Sequence, residues 1–212
     1  MIDKSITISG PGSSQLTVQR STAGGTPVFR IFHVTPGHTV MIEGLTIKGG
    51  FANTSGGGVF NDQSTLTLSY CVVEDHYSAG GRGGGIYNYG MSATLTIVNS
   101  TIRHNFLPNG GGIGSGGIGG GIYSNGTLAI SDSTVSGNII GSYLDPPNFG
   151  GDGDGIYSDG TLVISNSTVS SNIATRWGGG IINSGHLKIT NSTISGNRAD
   201  LDGSDLHRQG AL

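Results

Sequence analysis

The chain has 212 residues and a net charge of −3 with ten scattered Lys and Arg, which leaves no basic patch of the kind nucleic acid requires. Gly contributes 41 residues, while 34% of the chain is hydrophobic and only 11% charged; a disordered polyelectrolyte would carry far more charge. No apolar stretch approaches the roughly 18 residues of a membrane-spanning helix, so no membrane span is expected, and one cysteine, Cys71, excludes an intramolecular disulfide framework and a cysteine-rich zinc site.

In chain order, "SITISGPG" at residues 5–12 and "FRIFHV" at residues 29–34 read as an opening coil. "TVMIEGLTIKG" at residues 39–49 holds two strands with a five-residue step from Ile42 to Ile47. Residues 1–50 are therefore opening coils. From 51 to 199 one sentence is written five times: "GGGVFNDQSTLTLSYCVVEDH", "GGGIYNYGMSATLTIVNSTIRHN", "GGGIYSNGTLAISDSTVSGN", "GDGIYSDGTLVISNSTVSSN" and "GGGIINSGHLKITNSTISGN". Residues 200–212 form a polar C-terminal tail. Self-similarity at such a period means stacked supersecondary units.

Each copy holds three short runs suited to strands. The first centres on Val59, Ile86, Ile122, Ile156 and Ile181, the second on pairs such as Leu95/Ile97 and Leu162/Ile164, and the third on Val73, Ile102, Val135, Val169 and Ile194. Apolar and polar residues alternate in the second run, as a strand with one buried face requires. Gly, Asn, Asp and Ser punctuate the runs as turn residues. Three strands per repeat, with no hairpin signal, predict an all-β fold: a right-handed single-stranded parallel β-helix of about seven coils, forming one domain over 1–212. The middle strands centre near Ile6, Val40, Leu66, Leu95, Leu128, Leu162 and Leu187. Asn105, Asn138, Asn172 and Asn197 recur at one position, which predicts an amide ladder along the axis.

The "GGGIY" and "STVSGN" pairs resemble the "GGxx" and "FxxN" motif pairs of polymorphic outer-membrane protein repeats and of related β-helix repeats in large bacterial surface and secreted proteins. Ile102, Val135, Val169 and Ile194 replace the phenylalanine, and His76 replaces the Asn of the first copy. The opening "IDKSITISGPG" is similar to the first segment of such proteins. The resemblance implies an exported or surface-displayed β-helix. No leader-like segment opens the chain, so Met1 is expected to begin a mature domain, an excised piece or an intracellular protein. Those families share no single activity, and function has to be argued from sites.

First-strand centres lie 27, 36, 34 and 25 residues apart, and all of that variation falls between the third strand of one coil and the first strand of the next. Insertions at one corner stack along one edge, where repeat proteins place binding surfaces. The aromatic and charged residues found there, Tyr77, Phe106, Tyr143, Asp145, Phe149, Arg176 and Trp177, suit a polysaccharide or cell-surface glycan. Glycan binding along this edge is the expected function.

Alternatives remain open. Aligning coils places Glu74 beside Arg103 and Asp75 beside His104, either as an acid/base pair with an anion-binding Arg in a polysaccharide lyase or glycoside hydrolase, or as a cross-coil salt bridge. Asp152, Asp154 and Asp159 are hard-oxygen ligands that would suit Ca2+. "GGDGDGIYS" is similar to the calcium-binding nonapeptide "GGxGxDxUx", but Gly155 stands where the required Asp belongs and the motif does not recur in tandem. Thr134/Ser136, Thr168/Ser170 and Thr193/Ser195 put two hydroxyls outward per strand, ~6.6 Å apart with ~4.8 Å between coils, which would suit ice binding. Neither end carries a cap, which predicts strand edges open to end-to-end or edge self-association.

Overall fold

In Thr94–Val98, Leu95 and Ile97 alternate with Thr94, Thr96 and Val98, and a strand turns alternate residues to opposite faces. The computed structural model describes residues 1–108, 117–141, 152–153, 155–201 and 203–208. In it Leu95 and Ile97 are fully buried, directly above Leu66 and Leu68 and below Leu128 and Ile130. All sheets are parallel, and each strand pairs with its counterpart one coil away, giving a β-solenoid of about six turns. No helix occurs among the described residues.

One complete coil shows the plan. Ile86–Tyr89, Thr94–Val98 and Thr101–Arg103 are the first, middle and third strands expected from the repeat. The structure adds a fourth, two-residue strand directly after the Asn, here Phe106–Leu107. Three sheets hold seven strands and the fourth sheet six. The segment read as a polar tail contributes Leu206–Arg208, which pairs with Ile181–Asn183 in the first sheet. Val73, Ile102, Val135 and Val169 of the third sheet and Val59, Ile86, Ile122, Ile156 and Ile181 of the first face the same interior column without exposure. Each fully buried Ile, Leu or Val contributes roughly 2 kcal/mol of apolar transfer. At its two ends the column is less covered: Ile6 is 43% exposed, and Leu187, Ile189 and Ile194 are only partly buried.

The constant five-residue step has a backbone cause. Between middle and third strands sits a left-handed residue: Tyr70 (φ 52), Asn99 (φ 49), Asp132 (φ 51), Asn166 (φ 49) or Asn191 (φ 48). Asn and Asp tolerate that region better than most residues. A serine ladder follows, in which the Cys71 N–H donates to Ser100 Oγ at 3.0 Å, Ser100 to Ser133 at 3.0 Å, Ser133 to Ser167 at 3.1 Å and Ser167 to Ser192 at 3.1 Å.

The asparagine ladder is present and links the two ends of the repeated sentence. Asn105 Nδ2 donates to Asn138 Oδ1 and to the Val73 carbonyl, Asn138 Nδ2 to Asn172 Oδ1 and Ile102 O, and Asn172 Nδ2 to Asn197 Oδ1 and Val135 O. Each Oδ1 also accepts the backbone N–H of the preceding member. The amides lie against the glycine that precedes each first strand: a Cβ on Gly85, Gly121, Gly155 or Gly180 would come within 3.0 Å of Asn105, Asn138, Asn172 or Asn197. Asp205, in the C-terminal segment, terminates the series by accepting from both Asn197 N and Nδ2.

A charge in the column tests this register. Ile164→Asp should cost about 4 kcal/mol or more, because an unpaired carboxylate would replace a fully buried methyl-bearing chain. Val163→Asp, on the outer side of the same strand, should cost about 1 kcal/mol. Thermal unfolding followed by circular dichroism reads both, and equal melting temperatures would refute the assignment of faces.

Candidate functional site

The residues of the variable corner separate into two groups. Tyr77 and Phe106 lie in the fourth sheet, in register with each other and with Phe51. Their rings form a short column with centroids 4.5 Å (Phe51 to Tyr77) and 5.6 Å (Tyr77 to Phe106) apart. Arg176 and Trp177 sit at the opposite side of the corner, the guanidinium carbon 4.1 Å from the indole centroid and the indole stacked on His207 at 6.3 Å. Tyr143, Asp145, Phe149 and Asp154 lie outside the described residues.

Asp152 and Asp159, offered above as calcium ligands, have separate partners. Asp152 approaches Arg176 Nε at 3.9 Å, while Asp159 Oδ2 accepts the Tyr123 hydroxyl proton at 2.8 Å. Among the described residues no group of three His, Cys, Asp or Glu side chains could hold a metal ion. Burial pushes the Asp152 carboxyl up despite the nearby Arg176.

Glu74 and Arg103 are in-register neighbours in the third sheet, as the coil alignment requires. Glu74 is buried between two cations: Oε1 accepts from Lys48 Nζ at 2.9 Å, and Oε2 from Arg103 Nε and Nη2 at 2.8 and 2.7 Å. Burial would raise its carboxyl, but the hydrogen bonds and charges of Lys48 and Arg103 outweigh that and hold it below the usual carboxylate range. A carboxylate so held is a poor general acid. Asp75 pairs with Lys48 at 2.9 Å, not with His104. Asp75 (φ 56) and His104 (φ 52) are the left-handed residues of the corner after the third strand, the place taken by Gly49, Gly137 and Gly196 in other coils. Of the four residues read as a catalytic set, Glu74, Asp75 and Arg103 therefore form a cross-coil ion cluster with Lys48, and His104 stands apart from it.

His76, the departure from the Asn series, reproduces an asparagine. Nδ1 accepts the Gly50 N–H at 2.9 Å, as an Asn Oδ1 accepts from the coil before, and Nε2 donates to the Ile47 carbonyl at 2.9 Å, as an Asn Nδ2 does. Its ring lies over Gly58, where a Cβ would come within 2.5 Å of it. The acceptor bond at Nδ1 needs the neutral ring, and complete burial lowers the His76 pKa to about 4.

The sequence reading missed the outer face of the first sheet. His33, Phe60, Tyr87, Tyr123 and Tyr157 stand in register on successive coils, with centroids 4.7, 5.1, 5.3 and 5.5 Å apart. Arg30 lies over Phe60 at 4.8 Å and Arg82 over Tyr123 at 5.2 Å. Burial, with the hydrogen bond to Asp159, pushes the Tyr123 phenol up. The signal was the aromatic residue after the aliphatic one in "GGGVF" and "GGGIY": strand alternation turns it outward at the same place in each coil. The next residues inward, Asn61, Asn88 and Ser124, form a second buried polar ladder, Asn61 Nδ2 donating to Asn88 Oδ1 at 2.7 Å and Asn88 Nδ2 to Ser124 Oγ at 2.9 Å.

Comparison of the chain with protein-family models, curated proteins and solved structures gives no match. The class defined by the fold is a parallel β-solenoid, and its activity rests on the geometry described above.

His76 gives a pH test with a definite sign. A histidine whose folded pKa lies near 4, against about 6.5 unfolded, stabilises fully above pH ~6.5, and that contribution is lost as pH falls to ~4. The shift corresponds to on the order of 3 kcal/mol. His76→Asn, which restores the ladder side chain, should remove this component; denaturant unfolding of both proteins between pH 7 and 4 would reveal it as a difference in slope.

Proposed function

We propose that the protein is an exported or surface-displayed β-solenoid that binds polysaccharide along the flank between its fourth and first sheets. The observation that carries this reading is the in-register aromatic column of the first sheet with guanidinium groups laid over it. Aromatic rings neighbour one another at the coil repeat, and a glycan running along the axis would pass the more open members, Phe60 and Tyr157, on either side of the covered Tyr87 and Tyr123. Tyr87 and Tyr123 are covered, at 8% and 2% exposure, so the column offers the half-buried Phe60 and Tyr157, the exposed Tyr89 beside them and the exposed Asp159, with Trp177 and Arg176 at the adjoining corner. Such a surface would bind sugar hydroxyls and acidic groups chiefly through hydrogen bonds and charge. The resemblance of the "GGGIY" and "STVSGN" pairs to polymorphic outer-membrane repeats supports a surface location. The engagement of Glu74 by Lys48 and Arg103 favours binding over hydrolysis or elimination by that cluster.

One observation favours a second reading, ice binding. Thr134 and Ser136, Thr168 and Ser170, and Thr193 and Ser195 are in register on the third sheet, and Thr39, Thr65, Thr94, Thr127 and Thr161 on the middle sheet. Glu74 and Arg103 interrupt the third-sheet lattice within the same row.

A glycan-array screen followed by calorimetric titration separates the readings. Tyr157→Ala and Trp177→Ala should each weaken a glycan hit by about 1 kcal/mol, with the far-ultraviolet circular dichroism unchanged, whereas Thr193→Ala should leave affinity as it was. Unchanged affinity in both aromatic variants would remove the flank from consideration. Release of reducing ends or unsaturated products would identify an enzyme, and inhibition of ice recrystallisation without glycan binding would favour the hydroxyl faces.

A further inference from the structure

At the N-terminal end of the aromatic column lies a cavity of about 380 Å³. Val28, Phe29 and Ala52 supply apolar wall, and Arg30, His33 and Thr54 supply polar groups. Two contacts position Arg30: Nη2 donates to Thr54 Oγ1, and the guanidinium carbon lies 4.8 Å from the Phe60 centroid. Among the described residues no carboxylate stands within ion-pair distance of it, although burial is enough to lower its pKa. A guanidinium carries five N–H donors in a fixed fork; the Thr54 bond uses one. His33 is stacked on Phe60, and its Nε2 is buried without a hydrogen-bond partner, the nearest acid being Asp62 Oδ2 at 3.9 Å.

A partly buried cation without a counter-ion is costly, and an anion reaching it would offset that cost. The geometry of the cation selects the anion. Arg30 is the cationic side chain of the cavity, Met1 also lines it, and His33 is held toward neutrality by burial, by Arg30 and by the N-terminal charge, against the pull of Asp62. A planar carboxylate matches the guanidinium fork. Val28 and Phe29, 42% and 46% exposed, offer apolar contact to the body of the ligand, and the volume lies at the small end of the range for ligand sites.

We propose that this cavity binds the carboxylate of a compact organic acid, with Arg30 as the principal donor. The source is either a uronate residue of a glycan or a free carboxylic acid. The uronate source rests on the glycan reading above; the carboxylate site itself does not.

The test is a ¹H–¹⁵N NMR titration of the full chain with galacturonate and with benzoate, using galactose and inorganic phosphate as controls. Saturable shifts at the Arg30 Nε–H and the Thr54 amide are expected with at least one carboxylate and not with galactose. Galacturonate without benzoate assigns the uronate source, and benzoate without galacturonate the free acid. Arg30→Gln should weaken binding at least about tenfold at an unchanged melting temperature. If that variant proves unstable, Arg30→Lys, which keeps the charge and loses the fork, should bind several-fold more weakly. No saturable shift with either carboxylate, undiminished binding in the variant that is read, or tighter binding of phosphate would overturn the proposal. Loss of glycan binding in Tyr157→Ala and Trp177→Ala with carboxylate binding retained would show that the flank and the cavity are separate sites.

Discussion

The structure depends on one interaction: a buried side chain at the end of each third strand that hydrogen-bonds upward to its own copy in the next coil and lies against a glycine. An amide suits the task because it donates and accepts from one planar group. It ties the Val73, Ile102 and Val135 carbonyls and the intervening backbone N–H groups into the ladder, where they would otherwise be buried without partners. The close approach leaves no space for a Cβ at Gly85, Gly121, Gly155 or Gly180. The glycine run and the distant Asn are thus two halves of one contact, which is why they travel together through the repeats. His76 shows that the requirement is chemical: a neutral imidazole with one donor and one acceptor takes the position, and an Asp carboxylate ends the series at Asp205.

With the interior specified in this way, the outer rows can vary. In the third sheet the same outward row holds Lys48, Glu74, Arg103, Ser136, Ser170 and Ser195. The charged members sit in the earlier coils, and their order, cation, anion, cation, pairs each with its neighbour. Placing a carboxylate between two cations lowers its pKa and occupies both oxygens, which is the electrostatics of a clamp between coils. In the first sheet the outward row is aromatic instead. There the coil spacing brings ring upon ring, and Arg30 and Arg82 cover the rings from the side.

This division bears on function. A ligand-binding surface on a solenoid has to be assembled from rows, because adjacent coils present equivalent positions side by side and consecutive residues of one strand point to opposite faces. The flank between the fourth and first sheets gathers two aromatic rows and Arg176 with Trp177. The cavity at Arg30 and His33 closes the same aromatic row at its N-terminal end. Elsewhere the outer face is dominated by Thr, Ser and the ion cluster around Glu74.

The repeat, the strand alternation and the five-residue step were enough to establish an all-β parallel solenoid, the inward residues of three strands per coil and the Asn ladder. These features are local or recur at a fixed offset, so they are written in every copy. The sequence also placed Glu74 opposite Arg103. Only the tertiary structure decided that Lys48 would join them and take Asp75 from His104, because the left-handed corner turns those two residues along the backbone's bend and the partner comes from the preceding coil. It also revealed the fourth two-residue strand carrying Tyr77 and Phe106, too short to show any periodicity. The Arg30 and His33 cavity was equally hidden, since it is formed where an irregular opening coil meets the regular stack, and no repeat exists there to announce which side chains become neighbours.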